Sequence, residues 1–239
     1  MEPYPDVAVV EGRRRLIRFA AFGIAAYAVA LVATMPASVV FKNRPWRTGV
    51  EGTIWHGAVG IAGGSTLAWD WAPLRSLTSL GFASDWRMTG GNSDLGGRAL
   101  VKPTGRMVLD TVSGAADASL LMALQPDLPF RCELTMQVEM PRLAVGGGDR
   151  MADGVATSAP GACAAKEGVA VAVPALRLSA EHVGQVTRIL LTPATQRRRV
   201  LVDSTLAEDG TLSVALTPAG AATLPFIGLP GGAALSFRM

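Results

Sequence analysis

Residue types that carry most enzyme chemistry are sparse in this chain. His56 and His182 are the only histidines, and Cys132 and Cys163 are the only cysteines. The sequence has no HExxH metal motif, GxSxG nucleophile elbow, P-loop or GxGxxG fingerprint. Three glycines at 146–148 lack the following glycine or lysine that a phosphate site needs. We therefore expect no catalytic residues, no metal and no cofactor, and we assign both histidines a surface or packing role.

The two cysteines favour a structural disulfide. Cys132 and Cys163 are 163 − 132 = 31 positions apart, which excludes a CxxC redox motif. Two thiolates are also too few for a structural zinc site. A disulfide across this loop would stabilise the fold by about 3 to 4 kcal/mol if it acts through chain entropy. Two separate buried thiols are the alternative.

The five tryptophans are concentrated in one part of the sequence. They are Trp46, Trp55, Trp69, Trp71 and Trp86, within 86 − 46 = 40 positions. Tryptophan prefers sites where its ring is buried and its N–H has a partner, which favours a packed subdomain near the N-terminus. A membrane-interface belt or a partner surface is the functional alternative. Two residues that are two apart in a strand share a face, so Trp69 and Trp71 favour core packing.

An apolar stretch near the N-terminus predicts a membrane anchor. Four arginines between positions 13 and 18 precede the stretch, which runs from Phe19 to Phe41 and has 41 − 19 + 1 = 23 residues. A helix that crosses the bilayer core needs about 20 mostly apolar residues. A cleaved signal peptide is the alternative, although its apolar core usually has only about 7 to 15 residues. We predict a cytoplasmic stub at 1–18, a transmembrane helix at 19–41 and a periplasmic domain at 42–239.

The orientation of this anchor depends little on charge. Lysine and arginine tend to stay on the cytoplasmic side, but Lys42, Arg44 and Arg47 follow the stretch and offset the arginines before it. A short N-terminal stub rarely crosses a membrane alone, and the two cysteines could pair only in an oxidising compartment. We therefore expect the N-terminus in the cytoplasm and the body in the periplasm.

The composition of the body favours strands over long helices. The chain has 27 glycines and 15 prolines, while charged residues make up 17%. The formal net charge of +3 comes largely from the residues that flank the anchor, so no nucleic-acid footprint is visible. Arg197, Arg198 and Arg199 could contact anionic lipid or an acidic partner, with a solvated strand flank as the alternative. We predict a mainly β, antiparallel periplasmic domain with a few short helices.

Local patterns place several elements. Alternation predicts a strand at 134–140 that ends at Pro141, and Asp209-Gly210 predicts a hairpin between strands at 200–206 and 211–216. Further predicted strands are 97–101, 106–112 and 169–173, and short helices are expected at 73–80 and 118–124. The segment 183–191 fits a helix or a strand, and we favour the strand. Residues 146–148 and 158–165 are predicted loops.

One part of the sequence is similar to a known family. Gly52-Thr53-Ile54-Trp55-His56-Gly57, then Leu67-Ala68-Trp69-Asp70-Trp71-Ala72-Pro73-Leu74 and Ser76-Leu77, resembles the start of protein N of the bacterial type II secretion system. The pattern there is G-T-[LIV]-W-x-G, followed by L-x-W-x-W/L-x-P-x-x-L. Asp209-Gly210-Thr211-Leu212 and Pro218-Ala219-Gly220 are similar to the C-terminal part of that family. The resemblance is concentrated in residues 49–77.

The resemblance implies a non-enzymatic accessory component of the secretion apparatus in the bacterial inner membrane. Such a protein helps to export folded proteins from the periplasm across the outer membrane, and its expected partners are other inner-membrane subunits. The implied structural residues, which would set a turn and a core, are Gly52, Thr53, Trp55, Gly57, Trp69, Trp71 and Pro73. The two cysteines depart from the family pattern.

Two other functions are compatible with the sequence. An antiparallel sheet behind one anchor could bind or move lipid, as in AsmA-like proteins, and a continuous apolar face on the sheet would favour that function. A periplasmic hydrolase would need converging polar groups in a cleft, which the sequence does not indicate.

Overall fold

The first described element is a long helix with an exposed apolar segment. The computed structural model describes residues 7–41, 46–125, 128–147 and 150–238. Helix α1 covers Val7–Ala33. Its segment Leu16–Ala33 has a mean hydropathy of 2.1, and none of it is buried within the protein. Among the described residues, α1 is therefore the one helix that is long and apolar enough to span a membrane.

The observed helix begins and ends earlier than the predicted transmembrane segment. It includes the arginines before Phe19 and ends at Ala33, which is 41 − 33 = 8 residues before the predicted boundary at Phe41. Pro36 explains this end, because proline lacks the N–H for a helical bond and disfavours the helical conformation of the preceding residue. A short 3-10 helix follows at Ala37–Val39.

Most of the described chain forms strands. Their bounds are β1 Arg47–Gly52, β2 His56–Ile61, β3 Ser65–Trp71, β4 Phe82–Gly90, β5 Ser93–Val101, β6 Met107–Asp117, β7 Phe130–Glu133, β8 Thr135–Val145, β9 Met151–Ser158, β10 Gly161–Ala165, β11 Val171–Val173, β12 Leu176–Val183, β13 Val186–Pro193, β14 Val202–Ala207, β15 Thr211–Leu216 and β16 Ala234–Arg238. Thirteen of them form one sheet in the order β1-β2-β3-β4-β5-β6-β8-β9-β12-β13-β14-β15-β16. The fold is mainly β, with antiparallel pairing throughout this sheet, as predicted.

The three remaining strands form a small second sheet in the order β11-β10-β7. Cys132 on β7 lies directly opposite Cys163 on β10, and a disulfide joins them across a Cα–Cα distance of 4.1 Å. The predicted disulfide is confirmed. The predicted loop at 158–165 is wrong, since β10 occupies most of it; its glycine and alanines have low strand propensity, and pairing with strands on both sides sets the conformation.

Several other strand predictions are confirmed. β14 and β15 pair as a hairpin around Asp209-Gly210, with Gly210 at φ +86°. The ambiguous segment after position 183 is a strand: β12 ends at Val183, Gly184 adopts φ +68°, and β13 begins at Val186. The strand predicted at 97–101 lies inside the longer β5. Of the strand predicted at 106–112, residues 107–112 lie in β6, and of the one predicted at 169–173 only 171–173 is a strand.

The prediction that a strand ends at Pro141 is wrong. β8 continues to Val145, and its pairing with β9 shifts by one residue between Glu139 and Arg142. Pro141 lies at this irregularity and is exposed, and a bulge is where a strand tolerates a residue without an N–H.

The short helices lie beside the sheet. α2 covers Pro73–Ser79, with Pro73 in its first turn, and α3 covers Ala118–Leu124 as predicted. α4 covers Pro218–Thr223, followed by a 3-10 helix at Pro225–Ile227. The predicted loop at 146–148 is a turn at Gly146 and Gly147, while residue 148 lies outside the described residues.

Candidate apolar binding surface

The two faces of the 13-stranded sheet differ in chemistry. Successive side chains of a strand point to opposite faces, and directly paired residues of neighbouring strands share a face. We call the face that carries Trp69 and Leu178 the inner face, and the opposite one the outer face. One row of directly paired residues on the inner face crosses twelve strands without a polar side chain: Val50, Val59, Leu67, Met88, Leu95, Gly114, Val138, Ala156, Leu178, Leu191, Val202 and Leu216.

Parts of the inner face are covered by other elements of the chain. At the first strands, Ala37 and Phe41 pack against Val59 and Trp69. In the middle, Leu120 of α3 packs against Leu95 and Ala116. At the last strands, the small sheet and the segment after α4 form the third apolar cluster, which includes Cys163, Val173, Leu201, Leu224 and Phe226. All three clusters therefore lie on this face, while Ala83, Val108 and Ala144 are buried on the outer face.

An apolar cavity lies where the covering is incomplete. It has a volume of about 180 Å³, is open to the solvent, and lies between α3, the β7 segment and the strands β8, β9, β12 and β13. The cavity is lined by Ala118, Leu121, Met122, Leu128, Phe130, Cys132, Leu134, Met136, Ala156, Ser158, Leu176, Leu178 and Leu191. Apolar cavities of about 150 Å³ stay dry and accept ligands such as benzene. This cavity is therefore large enough for a small apolar group or the end of an acyl chain.

The helix that borders the cavity has a charged N-cap. Asp117 precedes α3, and its Oδ1 accepts a hydrogen bond of 2.7 Å from the backbone N–H of Ser119. This hydrogen bond holds the pKa of Asp117 below its usual value. The ionised cap satisfies one of the free N–H groups at the start of α3.

The outer face carries the ion pairs. Arg87 bonds to Asp94 at 2.8 Å, and Arg188 bonds to Asp203 at 2.7 Å. Both pairs join neighbouring strands and are exposed. The hydrogen bond from Arg87 lowers the pKa of Asp94. These groups satisfy each other along the sheet and do not converge on a cleft.

The segment 52–57 lies at the C-terminal end of α1. Trp55 Nε1 donates to the carbonyl oxygen of Val32 at 2.9 Å, and the backbone N–H of Ile54 donates to Met35. Thr53 forms the turn, because its Oγ1 accepts from the N–H groups of Trp55 and His56. These contacts therefore join α1 to the first hairpin of the sheet.

The motif glycines allow close packing in this hairpin. Gly52 adopts φ +84°, and a Cβ there would lie 2.5 Å from the carbonyl oxygen of His56. A Cβ on Gly57 would overlap the carbonyl oxygen of Glu51 and lie 2.7 Å from the ring of Trp69. Both positions therefore require glycine.

The motif tryptophans have different environments. Trp69 is 7% exposed, packs against Phe41, and donates from Nε1 to Ile54, so its predicted core role is confirmed. Trp71 shares the inner face but is 40% exposed, so core packing was the wrong prediction for it. It lies at the end of β3, where its ring contacts Trp55 and its Nε1 donates to Ser76 at 2.8 Å.

Other predicted candidates do not form a site with these residues. His56 is exposed, and His182 is half-buried with its Nδ1 3.0 Å from Thr187 Oγ1. Arg197, Arg198 and Arg199 lie exposed in a turn. Among the described residues, no group of three or more His, Cys, Asp and Glu side chains is arranged to hold a metal ion.

Comparison with known protein families, with curated proteins and with solved structures finds no significant match to this chain.

Proposed function

We propose that this chain is an accessory component of a type II secretion apparatus, anchored in the bacterial inner membrane. In this proposal α1 spans the membrane, the N-terminus is cytoplasmic and the sheet lies in the periplasm. The observation that carries the proposal is the place of the family motif. Gly52, Trp55, Gly57 and Trp69 lie where α1 meets the sheet, and their position there supports the proposal.

The proposed role is assembly through binding, without catalysis. The sheet offers an extended apolar inner face whose own core leaves part of it open. Apolar surface that remains accessible is typical of sites that bind a protein or a lipid. The Cys132–Cys163 disulfide agrees with a periplasmic body, because disulfides persist in oxidising compartments.

Lipid binding is the second candidate, and a specific observation favours it. The inner face has the continuous apolar row and the open cavity that an acyl chain would need. A membrane-anchored domain of this kind would bind or transfer lipid at the periplasmic surface of the inner membrane.

Cross-linking of the full chain in the membrane of its own cell, followed by identification of the captured species, tests the first proposal. Recovery of inner-membrane subunits of the secretion apparatus is the expected result. Recovery of phospholipid alone would reject the assembly role and support the second candidate.

Native mass spectrometry of the detergent-extracted chain tests the second candidate separately. Ala156 lines the cavity on the inner face, so A156F should fill it and abolish any co-purified lipid mass. V155F is the matched control, because Val155 is the preceding residue of β9 and points to the outer face. Equal lipid retention in the two variants would exclude this cavity as the lipid site.

A further inference from the structure

We propose that α2 and the residue after it form a second membrane contact, in which Leu74, Leu77 and Leu80 enter the leaflet next to the C-terminal end of α1. The inference rests on the proposed anchoring of the chain by α1. It adds a surface that fixes how the sheet is oriented on the bilayer.

The three leucines are unusually exposed for a folded domain. Leu74 is 80% exposed, Leu77 is 75% and Leu80 is 78%. Leu74 and Leu77 are three residues apart, so they lie on one side of α2, and Leu80 directly follows the helix. Single exposed leucines are ordinary, but three together on a seven-residue helix form an apolar patch that lacks cover from the described chain.

The backbone at Leu80 points to a use for this patch. Leu80 ends α2 in the left-handed region, at φ 49° and ψ 49°. Helices commonly end in this conformation, but glycine is the usual residue there because a side chain is strained. Leu80 bears this strain without burying its side chain in the protein, and insertion of that side chain into a membrane would compensate for it.

The patch lies close to the end of the anchor. The apolar window Leu16–Ala33 has 18 residues, and at a rise of 1.5 Å per residue it measures about 27 Å, close to the thickness of a bilayer core. The hydrocarbon boundary is therefore expected near Ala33. Trp55 bonds to the carbonyl of Val32 at this level.

A chain of direct contacts connects this level to α2. The ring of Trp55 lies 4.6 Å from that of Trp71, and Trp71 Nε1 donates to Ser76 of α2. Ser76 Oγ also accepts from the backbone N–H of Ala83, which holds α2 against β4. Tryptophan is enriched at membrane interfaces, so Trp55 and Trp71 have the character expected at this depth.

The inner face continues to the same end of the sheet. Phe82, Val101, Met107 and Val145 form a row of directly paired residues at the strand ends, and Phe82 contacts Trp55. Val101, Met107 and Val145 are each more than a third exposed. The leucine patch and this exposed apolar rim therefore lie at the same end of the sheet, close to the end of α1, which favours lipid as the occupant over a soluble partner. Arg75, between Leu74 and Ser76, turns to the sheet and pairs with Asp85 at 2.6 Å.

Spin labelling of the full chain in phospholipid vesicles tests the inference. Both native cysteines are in the disulfide, so L74C and L77C, each made separately, would carry a single label. A25C in the middle of α1 is the control for lipid, and T205C on the exposed outer face is the control for water. The readout is the collision rate of each label with oxygen, which concentrates in lipid, and with a water-soluble nickel complex.

The labels at positions 74 and 77 should collide severalfold more often with oxygen than with the nickel complex. The label at position 25 should behave in the same way, and the label at position 205 should show the opposite preference. If they match the label at 205 while position 25 is in lipid, the second contact is rejected and the anchor remains. If position 25 also matches 205, the anchor fails and the second contact with it. Low collision with both reagents at 74 and 77 would mean a protein cover, which also overturns the inference.

Discussion

The two faces of the main sheet are built from the same strands, yet one carries an unbroken apolar row and the other mixes apolar with charged residues. On the inner face, the row from Val50 to Leu216 is apolar across twelve strands. On the outer face, the adjacent row contains Glu51, Arg87, Glu139 and Asp203, one position along each strand. Because side chains alternate with a period of two, a shift of one residue in register would exchange these faces.

The difference separates stabilisation from binding. Exposed ion pairs such as those of the outer face contribute little to stability, because water and salt screen them. All three apolar clusters form on the inner face, so most of the folding energy arises there. The covering elements leave a cavity and an exposed rim on that face, and this remaining apolar surface is available to a partner.

Neighbouring residues of β3 give the largest expected contrast between the faces. Trp69 is buried on the inner face and Asp70 is exposed on the outer face. W69A should lower the free energy of unfolding by about 3 to 5 kcal/mol because it removes a buried aromatic ring. D70A should change it by less than about 0.5 kcal/mol. Denaturant titration of the full chain in detergent measures both, and similar losses would contradict the division between the faces.

Loss of the disulfide should destabilise the fold nearly as much as W69A does, because the disulfide fixes the small sheet that covers part of the inner face. Replacing both Cys132 and Cys163 with serine should lower the free energy of unfolding by about 3 to 4 kcal/mol, because the disulfide no longer restricts the unfolded chain. A change in the gel mobility of the wild-type chain on reduction would first show that the disulfide is formed. Unchanged stability in the double variant would show that the small sheet is held by packing alone.

Gly57 tests how closely the first hairpin packs on the inner face. G57A should lower the free energy of unfolding by about 1 to 3 kcal/mol, because the added Cβ would overlap Glu51 and the ring of Trp69. G49A on the neighbouring strand is the control, because a Cβ there meets no atom within 4 Å and φ is not positive. Equal thermal midpoints for the two variants would show that the motif glycine has no packing role.

The cap of α3 predicts a dependence on acid. The lowered pKa of Asp117 contributes stability that is present above its unfolded pKa of about 4 and is lost as pH falls through the lower folded pKa. D117A should lower the free energy of unfolding by about 1 kcal/mol at neutral pH, because it removes the N-cap of α3. D117N keeps a good N-cap, so it should retain most of the stability while losing this part of the pH dependence. Unfolding titrations at pH 7 and pH 3 compare the three proteins, and identical pH profiles would reject the role of the carboxylate.

The smallest effect is expected for the outer face. A double-mutant cycle of R87A and D94A should give a coupling free energy close to zero that decreases further at high salt. A large coupling that resists salt would show that the outer face stabilises the fold as a buried network does.

The sequence predicts the fold class, and it predicts those elements whose signal lies in a short stretch of residues. Asp209-Gly210 predicts the hairpin of β14 and β15, and the residues at 118–124 predict the short helix α3. Trp69 is predicted as core from its spacing to Trp71. The paired cysteines follow from the absence of any other role for them.

The extended apolar face and the second sheet depend on pairing that local patterns do not encode. The row from Val50 to Leu216 exists only once every strand has its register, although alternation in single strands such as β8 indicates which residues share a face. β10 is held on one side by β7, where its Cys163 pairs with Cys132, 163 − 132 = 31 positions earlier. The exposed leucines of α2 had a helical pattern, but a pattern alone does not distinguish a face that packs from one that does not.

Position-specific photo-cross-linking in the native membrane tests the central claim most directly. Leu178 and Arg177 are adjacent on β12, with Leu178 in the inner-face cavity and Arg177 on the outer face. A photoreactive amino acid at position 178 should capture a secretion subunit or a phospholipid, while the same group at 177 should capture neither. Equal capture from both positions, or capture from 177 alone, would contradict the assignment of the inner face as the binding surface.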